Sequence, residues 1–367
     1  MEGLTNSREG RVPPLTPGAR VTLTGATGQL GPAIAAELAR LGVRRVVRVA
    51  RSKPKARAAE RVHAAEHSAG VREAPEGWRV VEGDVTEPGL GMSPDDLRVA
   101  FGACDLVIHA AADTSLGAGL GCDAVNRVGT SNVIDAIRAH GDASLCSVST
   151  AYVIGADPPR VVTEEAGRPA RARHATGYTK SKAEAERLVE ASGLPRVIVR
   201  PSILVPTGAH ARPKWLRGLV RSVAALESAP VDPDALVDVM LLDDAARDIV
   251  ALLASDCRRH DVYNVTRGPG RAPTIAQIAA LADPVRTRPE PLRLVKPRAW
   301  DAAGFEASAT PVEAHAMEKL RALLPFLNLD TVFDRSRIDA DAPLAEPISV
   351  ERLLEAIGRV ALASGSG

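Results

Sequence analysis

Aromatic side chains are scarce in this sequence: three Trp, three Tyr and four Phe, 3% of 367 residues. That argues against base-stacking surfaces and aromatic sugar platforms. Charge of one sign is lacking too. Lys and Arg number 46 against 45 Asp and Glu, a net charge of +1, which gives no sign of a nucleic-acid or anionic-membrane partner. The four cysteines, Cys104, Cys122, Cys146 and Cys257, show no C-x-x-C spacing and no disulfide framework. Cys104 and Cys146 sit in or beside apolar strand-like runs, so reduced, mostly buried thiols in a cytoplasmic protein are expected. No apolar stretch reaches 18 residues and no charged-then-apolar segment opens the chain, so neither a membrane span nor export is expected. What remains is an ordinary globular composition, 45% hydrophobic and 25% charged. The length suits one large domain or two coupled ones.

The stretch that organises the chain is Val21 to Gly31, VTLTGATGQLG. Val21-Thr22-Leu23-Thr24 reads as a buried strand, and a helical pattern from Ile34 to Leu41 follows the glycines. Strand, glycine turn and helix in that order make a dinucleotide-phosphate site. Gly25 allows a tight turn, Gly28 lets the backbone approach the pyrophosphate, and Gly31 lets helix and strand pack closely. The helix N-terminus then offers free N–H groups to the phosphates. Gly25, Thr27, Gly28, Gln29, Leu30 and Gly31 are the residues expected there. The alternative is an ordinary strand–helix turn.

The next strand pattern, Arg45 to Ala50, bears on the choice of cofactor. A site for NAD usually places an acid on the ribose hydroxyls about 20 residues past the glycines. Here no acid stands between Glu37 and Glu60. The strand ends in Arg51, followed by Lys53, Lys55, Arg57 and Arg61. A guanidinium can grip a 2′-phosphate bidentately, so the expected cofactor is NADPH, held by Arg51 and Arg61. The alternative is a solvated basic helix start.

Further strand patterns run over Trp78 to Val85, Asp105 to His109 and Ser144 to Ser149, with an amphipathic helix from Asn126 to His140. Strands alternating with helices imply an α/β fold with a doubly wound parallel sheet. Asp84 and Val85 end the third strand, where Asp84 can accept from an adenine amino group. Ala110 and Ala111, past the fourth, let a cofactor lie against the backbone. His109 reads as structural. Tyr178 and Lys182 open a later helix at i and i+4, sharing a face. An ammonium near a phenol is expected to lower the Tyr pKa and make it a usable acid or base. Thr150, past the fifth strand, can bond a substrate carbonyl oxygen. No metal ligand set is assigned.

Together these features resemble the extended short-chain dehydrogenase/reductase family over roughly residues 20–270, implying a Rossmann sheet. The resemblance places the family's acid on Tyr178, its lysine on Lys182 and its hydroxyl residue on Thr150. Asn126, in Asn126-Arg127-Val128-Gly129-Thr130, matches an N-x-x-G-T helix start whose Asn helps relay protons in related enzymes. Val199 to Ile203 resembles the segment whose backbone meets the nicotinamide carboxamide, implicating Pro201 and Ile203. A narrower likeness lies in Gly83 to Pro88 with Leu90 to Ser93, and in Ser149-Thr150-Ala151-Tyr152-Val153. These resemble the GDxTxPxLGLS and STAYV runs of thioester reductases and fatty acyl reductases.

The implied function is NADPH-dependent reduction of a carrier-protein- or coenzyme A-bound acyl thioester to aldehyde, with alcohol as a further product. Any carrier protein is expected in trans. Two alternatives stand: an extended-family reductase, epimerase or dehydratase acting on a ketone, sterol or nucleotide sugar, and a non-catalytic NADP(H)-sensing module. Gln29, found in the glycine loops of some redox sensors, keeps the second open. The expected organisation is a flexible leader over 1–18 and a dinucleotide-binding domain over 19–205, with 237–266 returning to it. A smaller, discontinuous C-terminal substrate domain takes 206–236 and 267–363. Arg212, Lys214, Arg217 and Arg221 form a basic cluster that could dock an acidic carrier or a phosphopantetheine phosphate, or simply face solvent. Residues 349–363 read as a closing helix and 364–367 as a flexible end.

Overall fold

Valine-rich runs become the seven strands of one sheet: β1 (Arg20–Thr24), β2 (Arg45–Ala50), β3 (Arg79–Glu82), β4 (Leu106–His109), β5 (Ser144–Val148), β6 (Arg196–Pro201) and β7 (Val262–Val265). The computed structural model describes residues 11–116, 121–165, 173–206, 214–286 and 288–362. All neighbouring strands pair in parallel, in the order β3-β2-β1-β4-β5-β6-β7. The chain therefore winds outward in one direction from β1, then returns to wind the other way from β4. Between those strands lies the switch point where such sheets bind ligands. The helices used below are α1 (Leu30–Arg40), α2 (Ala58–Ser68), α3 (Pro94–Phe101), α4 (Gly129–His140), α5 (Gly177–Ala191), α6 (Lys214–Ala225), α7 (Leu242–Ala254), α8 (Pro311–Arg321) and α9 (Val350–Leu362).

Helices cover both faces of the sheet, so its central strands are buried along their length. All four residues of β4 are buried. One face packs Leu23, Ile34 and Leu38 with Ile249, Leu252 and Leu253, bringing α1 against α7. The other packs Val107, Val133, Ile137, Val189 and Ile198 beneath α4 and α5. A polar exception is Arg48 on β2, which is fully buried. It forks onto Glu66 of α2 at 2.9 and 2.6 Å and lies 5.2 Å from the Trp78 ring.

A second apolar cluster lies outside the sheet. Leu216 and Val220 of α6, Met317 and Leu320 of α8, and Leu353 and Ile357 of α9 form it. Short parallel pairs stitch the two halves: Ile203–Val205 with Val239–Leu241, and Val161–Val162 with Val332–Phe333. Residues 237–266 supply the strand Val239–Leu241, α7 and β7, and so lie with the main sheet.

The structure departs from the sequence reading at several points. Residues 1–10 and 363–367 are outside the described residues, but 11–18 are not a free leader. Val12 and Leu15 are buried in the main core, Leu15 N–H bonds Leu253 O at 2.8 Å, and Arg258 donates to the Val12 carbonyl at 2.6 Å. Two apolar side chains in a Pro-rich stretch suffice to dock it. The short helix Ser336–Asp341, expected in the substrate domain, packs on the sheet instead. Ile338 enters the main core, and the buried Asp341 carboxylate accepts from Tyr263 Oη and Arg259 Nε, both at 2.7 Å. The third strand stops at Glu82, because Asp84 N–H turns to Leu90 O at 2.8 Å. Finally, the helix expected from Asn126 begins as a π turn, Ala124–Val128, before α4 proper.

Candidate active site

A cleft of about 990 Å³ runs along the carboxyl ends of the strands. The glycine turn forms its floor. Gly25 is left-handed (φ +74°), and a Cβ there would stand 2.5 Å from the Ala110 carbonyl carbon and the Ala111 nitrogen. A Cβ on Gly31 would stand 2.2 Å from Gly25 O, so α1 could not start where it does. Gly28 N–H closes the turn onto Gly25 O at 2.9 Å. Gln29 caps α1 without a side-chain bond, and the first turn carries no acid, so its amides stay open toward an anion.

At the β2 and β3 ends, Arg51 donates to Asp84 at 3.2 Å, while Arg61 reaches from α2 to both the Arg51 carbonyl and Thr27 Oγ1, the latter at 3.2 Å. Arg61 therefore ties the glycine turn to the end of β2. Asp84 also accepts from Thr86 N and Oγ1 at 3.0 and 2.8 Å. Burial pushes its carboxyl up, but these bonds outweigh it and hold the pKa below the usual carboxylate value. From β2 to β5 the cleft crosses three strand spacings, about 14 Å, enough to separate the two ends of an extended dinucleotide. Ala110, Ala111, Val85, Leu30, Pro201 and Ile203 line it between and beyond.

Thr150, Tyr178 and Lys182 meet at the β5 end. Thr150 caps the short helix Ala151–Ile154, its Oγ1 accepting from Tyr152 N at 3.3 Å, and it hydrogen-bonds the Tyr178 hydroxyl. The expected effect of Lys182 on the phenol is not what the structure shows. Lys182 Nζ donates to the Val148 carbonyl at 2.7 Å. Burial dominates both groups: it pushes Tyr178 up to about 12, against the Thr150 bond, and Lys182 down to about 8, against the nearby Glu186 charge. At neutral pH the phenol therefore holds its proton.

Asn126 lies fully buried in the π turn, a helix irregularity common at functional sites. Its Oδ1 accepts from Asp113 N at 3.0 Å, and its Nδ2 donates to Asp113 O and Ser181 Oγ, both at 2.9 Å. With its side-chain amide engaged in these three bonds, Asn126 ties the loop after β4 to α5. His109 is buried, and desolvation pushes its pKa down to about 3. It sits between Thr24 Oγ1 at 2.7 Å and Thr130 Oγ1 at 3.1 Å. Since Thr130 donates to Asn126 O, at 2.6 Å, the imidazole donates from Nε2 and accepts at Nδ1.

Several lining residues had no sequence assignment. Ser149 is buried, lines the cleft and leaves its Oγ without a hydrogen-bond partner. Such an orphan, with the glycine cradle and the open α1 amides, fits a dinucleotide in this cleft. Tyr152, part of the run from Ser149 to Val153, packs edge-to-face on Phe326 and Phe333 at 5.2 and 5.1 Å. Leu204, Leu219, Lys319, Leu323 and Phe326 close the other wall. They fall where periodicity is broken by prolines, and only tertiary packing brings them to the strand ends. Of the basic cluster, Arg212 and the Lys214 side chain lie outside the described residues, Arg217 is half-buried and Arg221 exposed.

Residues 23–249 match the model of the NAD-binding family described as male sterility protein. Among the solved structures that share the fold are the following three. The terminal R domain from the myxalamid PKS-NRPS biosynthetic pathway is 23% identical, with a TM-score of 0.75, over 96% of this chain and 92% of that one. The aureusimine biosynthetic cluster reductase domain is 20% identical, TM-score 0.67, over the same shares of each chain, 96% and 92%. UDP-glucuronic acid 4-epimerase from Bacillus cereus is 17% identical, TM-score 0.66, over 93% and 98%. No curated protein sequence matches the chain. Among the described residues, no helix is long and apolar enough to cross a membrane.

Proposed function

Because the chain belongs to the male sterility protein family, and with it to the NAD-dependent oxidoreductases of the extended short-chain class, we propose that it reduces an acyl thioester to an aldehyde with NADPH. The acyl group would arrive on a separate carrier protein or on coenzyme A. The observation that carries the substrate reading is the wall beyond Thr150 and Tyr178. Leu116, Leu204, Leu219, Leu323 and Phe326 make it apolar, and Asp84, near the β3 end, is the sole carboxylate lining the cleft among the described residues. An acyl chain suits that wall; a sugar needs hydroxyl partners. Arg51 and Arg61, with no acid between Glu37 and Glu60 to meet the ribose hydroxyls, support NADPH over NADH.

When bound, the dihydronicotinamide supplies hydride to the thioester carbonyl carbon. The chain's residues manage the oxygen. Thr150 and Tyr178 donate to it as the C=O electrons move onto it, and Tyr178, protonated at neutral pH, delivers its proton. The hydroxyl then loses its proton, the C–S bond breaks, and the thiolate takes up a proton to leave aldehyde and free thiol. Lys182, fixed on the Val148 carbonyl, places an ammonium beside the cleft, where it can hold the nicotinamide ribose and favour the transient phenolate. Asn126 acts as a positioning residue, holding the loop after β4 against α5.

The test is NADPH oxidation, followed by absorbance, with acyl-coenzyme A and acyl-pantetheine thioesters. Thioester-dependent oxidation that falls at least a hundredfold in Tyr178→Phe is expected, since general acids typically contribute 10²–10⁴-fold. Tight NADPH binding without oxidation by any thioester would sink this reading. Oxidation with ketones, or cofactor retained through purification, would then point to the other extended-family reactions. Binding indifferent to Tyr178→Phe without any turnover would point to a sensor.

A further inference from the structure

One wall of the cleft runs from mouth to floor along a single helical line. Lys319 in the last turn of α8, Ala322, Leu323 and Phe326 all line the cleft. The backbone stays helical through Ala322 and Leu323 into the short helix Leu324–Leu327, so these four residues, at i, i+3, i+4 and i+7, follow one face. Exposure falls along that line. Lys319 and Ala322 are exposed, Leu323 is half-buried and Phe326 is buried. The cleft therefore opens at Lys319 and closes at Phe326. The Phe326 ring packs edge-to-face on Tyr152 at 5.2 Å, and Tyr152 packs in the same way on the fully buried Phe333 at 5.1 Å. Ala151, Ile154 and Val162 join them in one cluster. Packing of that density resists an extra methylene. Tyr152 belongs to the turn that Thr150 caps, so this aromatic floor stands two residues from the hydroxyl that meets the substrate oxygen. A chain that grows inward from that carbonyl meets the ring after a few carbons. Volume points the same way. The whole cleft, about 990 Å³, is near the upper limit of a single-ligand site, ~1,000 Å³. The dinucleotide takes much of its length.

We propose that Phe326 is the gauge of acyl length, and that the substrate is a short aliphatic acyl group, such as butyryl or hexanoyl, rather than a long fatty one such as palmitoyl. The acyl end points at the aromatic floor, and the arm that carries the thioester leaves by the open end past Ala322. The inference rests on the thioester reading and adds to it the length of chain the site admits. Leu323, one turn nearer the mouth, meets the chain before Phe326 does, so enlarging either side chain shortens the site and trimming Phe326 lengthens it.

The gauge is read during turnover by kcat/KM for acyl-pantetheine thioesters from acetyl to palmitoyl, with NADPH saturating. In the wild type it should rise about fourfold with each added methylene, as expected for burying one CH₂, and then fall sharply once the chain meets the ring. Phe326→Ala should move the optimum up by about two carbons or more, the room left by the missing ring. Phe326→Leu, gentler on the fold, should move it the same way, and Leu323→Phe should move it down. A wild-type optimum at palmitoyl, an optimum unmoved in all three variants, or an equal loss at every length in both Phe326 variants would overturn the proposal. Calorimetry with S-alkyl pantetheines, thioethers that cannot be reduced, reads the same gauge without turnover, in the presence of NADP⁺. A length limit in binding that Phe326→Leu relaxes, with no thioester-dependent oxidation, would keep the gauge and remove the reductase reading. Oxidation of every chain length alike would do the reverse.

Discussion

Tyr178 and Lys182 share one face of α5, yet their polar tips meet different partners, Thr150 for the phenol and the Val148 carbonyl for the ammonium. Their titrations therefore separate. Tyr178, pushed up to about 12, stays protonated across the working range, and Lys182, pushed down to about 8, does not. If the ammonium is needed, kcat/KM falls as pH rises through about 8, because that ratio reports the free enzyme. The sign follows from burial, which favours neutral lysine and so moves the loss of charge down from 10.5. A pH–rate profile checks this. Lys182→Arg, whose guanidinium keeps its charge, should remove the limb near pH 8. A profile flat to pH 10 in the wild type would show that Lys182 has no charge-dependent role. The same desolvation bears on stability. In the cofactor-free protein the unfolded chain binds the lysine proton more tightly than the folded one between pH 8 and 10.5, so this residue's burial penalty fades as pH rises through that window.

At the scale of elements, the catalytic helix is bolted to the sheet through charge. Arg200 of β6 forks onto Glu186 of α5 at 2.9 and 2.8 Å, and both side chains are 1% exposed. Removing one partner strips the other of its buried fork, so Arg200→Met should cost about 3–5 kcal/mol. Arg200→Met with Glu186→Met should recover much of that loss, an outcome denaturant unfolding of both variants would show. Arg200 is thus a structural part of a segment first noticed for the cofactor. Much of this level was legible in the sequence. Strand runs such as Leu106 to His109 are apolar because both faces are covered, and Gly25 and Gly31 are required by contacts of 2.5 and 2.2 Å that any side chain would violate. What escaped the sequence has physical reasons. The π turn at Ala124–Val128 leaves no mark on hydrophobic periodicity, being one extra residue in a helix. Val12, Leu15 and Ile338 sit in segments too short to show a period, and only the core they join reveals them. The Tyr178 titration was not legible because spacing shows which groups share a face, while burial decides which form is stable.

For the whole molecule, a net charge of +1 gives no field to steer an anionic ligand from a distance. The cations are instead distributed along the cleft. Arg51 and Arg61 stand at the β2 end, and Lys319 stands on the wall that the second apolar cluster supplies. At physiological ionic strength charges are screened within about 8 Å, so each end acts only on the group it touches. Cofactor choice should therefore be a local property of two arginines rather than of the fold, which also serves an NAD-bound epimerase. The expected outcome is a preference for NADPH over NADH that falls at least tenfold in Arg51→Ser with Arg61→Ser, and that shrinks as salt is raised from 0.05 to about 0.5 M. The ratio of kcat/KM for the two cofactors measures it directly. Arg61 also ties Thr27 to the end of β2, so the single variants need not be equal, and Arg61→Ser should weaken both cofactors more than Arg51→Ser does. A double variant that keeps its full NADPH preference would place the 2′-phosphate elsewhere. The basic run from Lys53 to Arg57 would then have to be read as the phosphate site, and Arg51 as no more than the partner of Asp84.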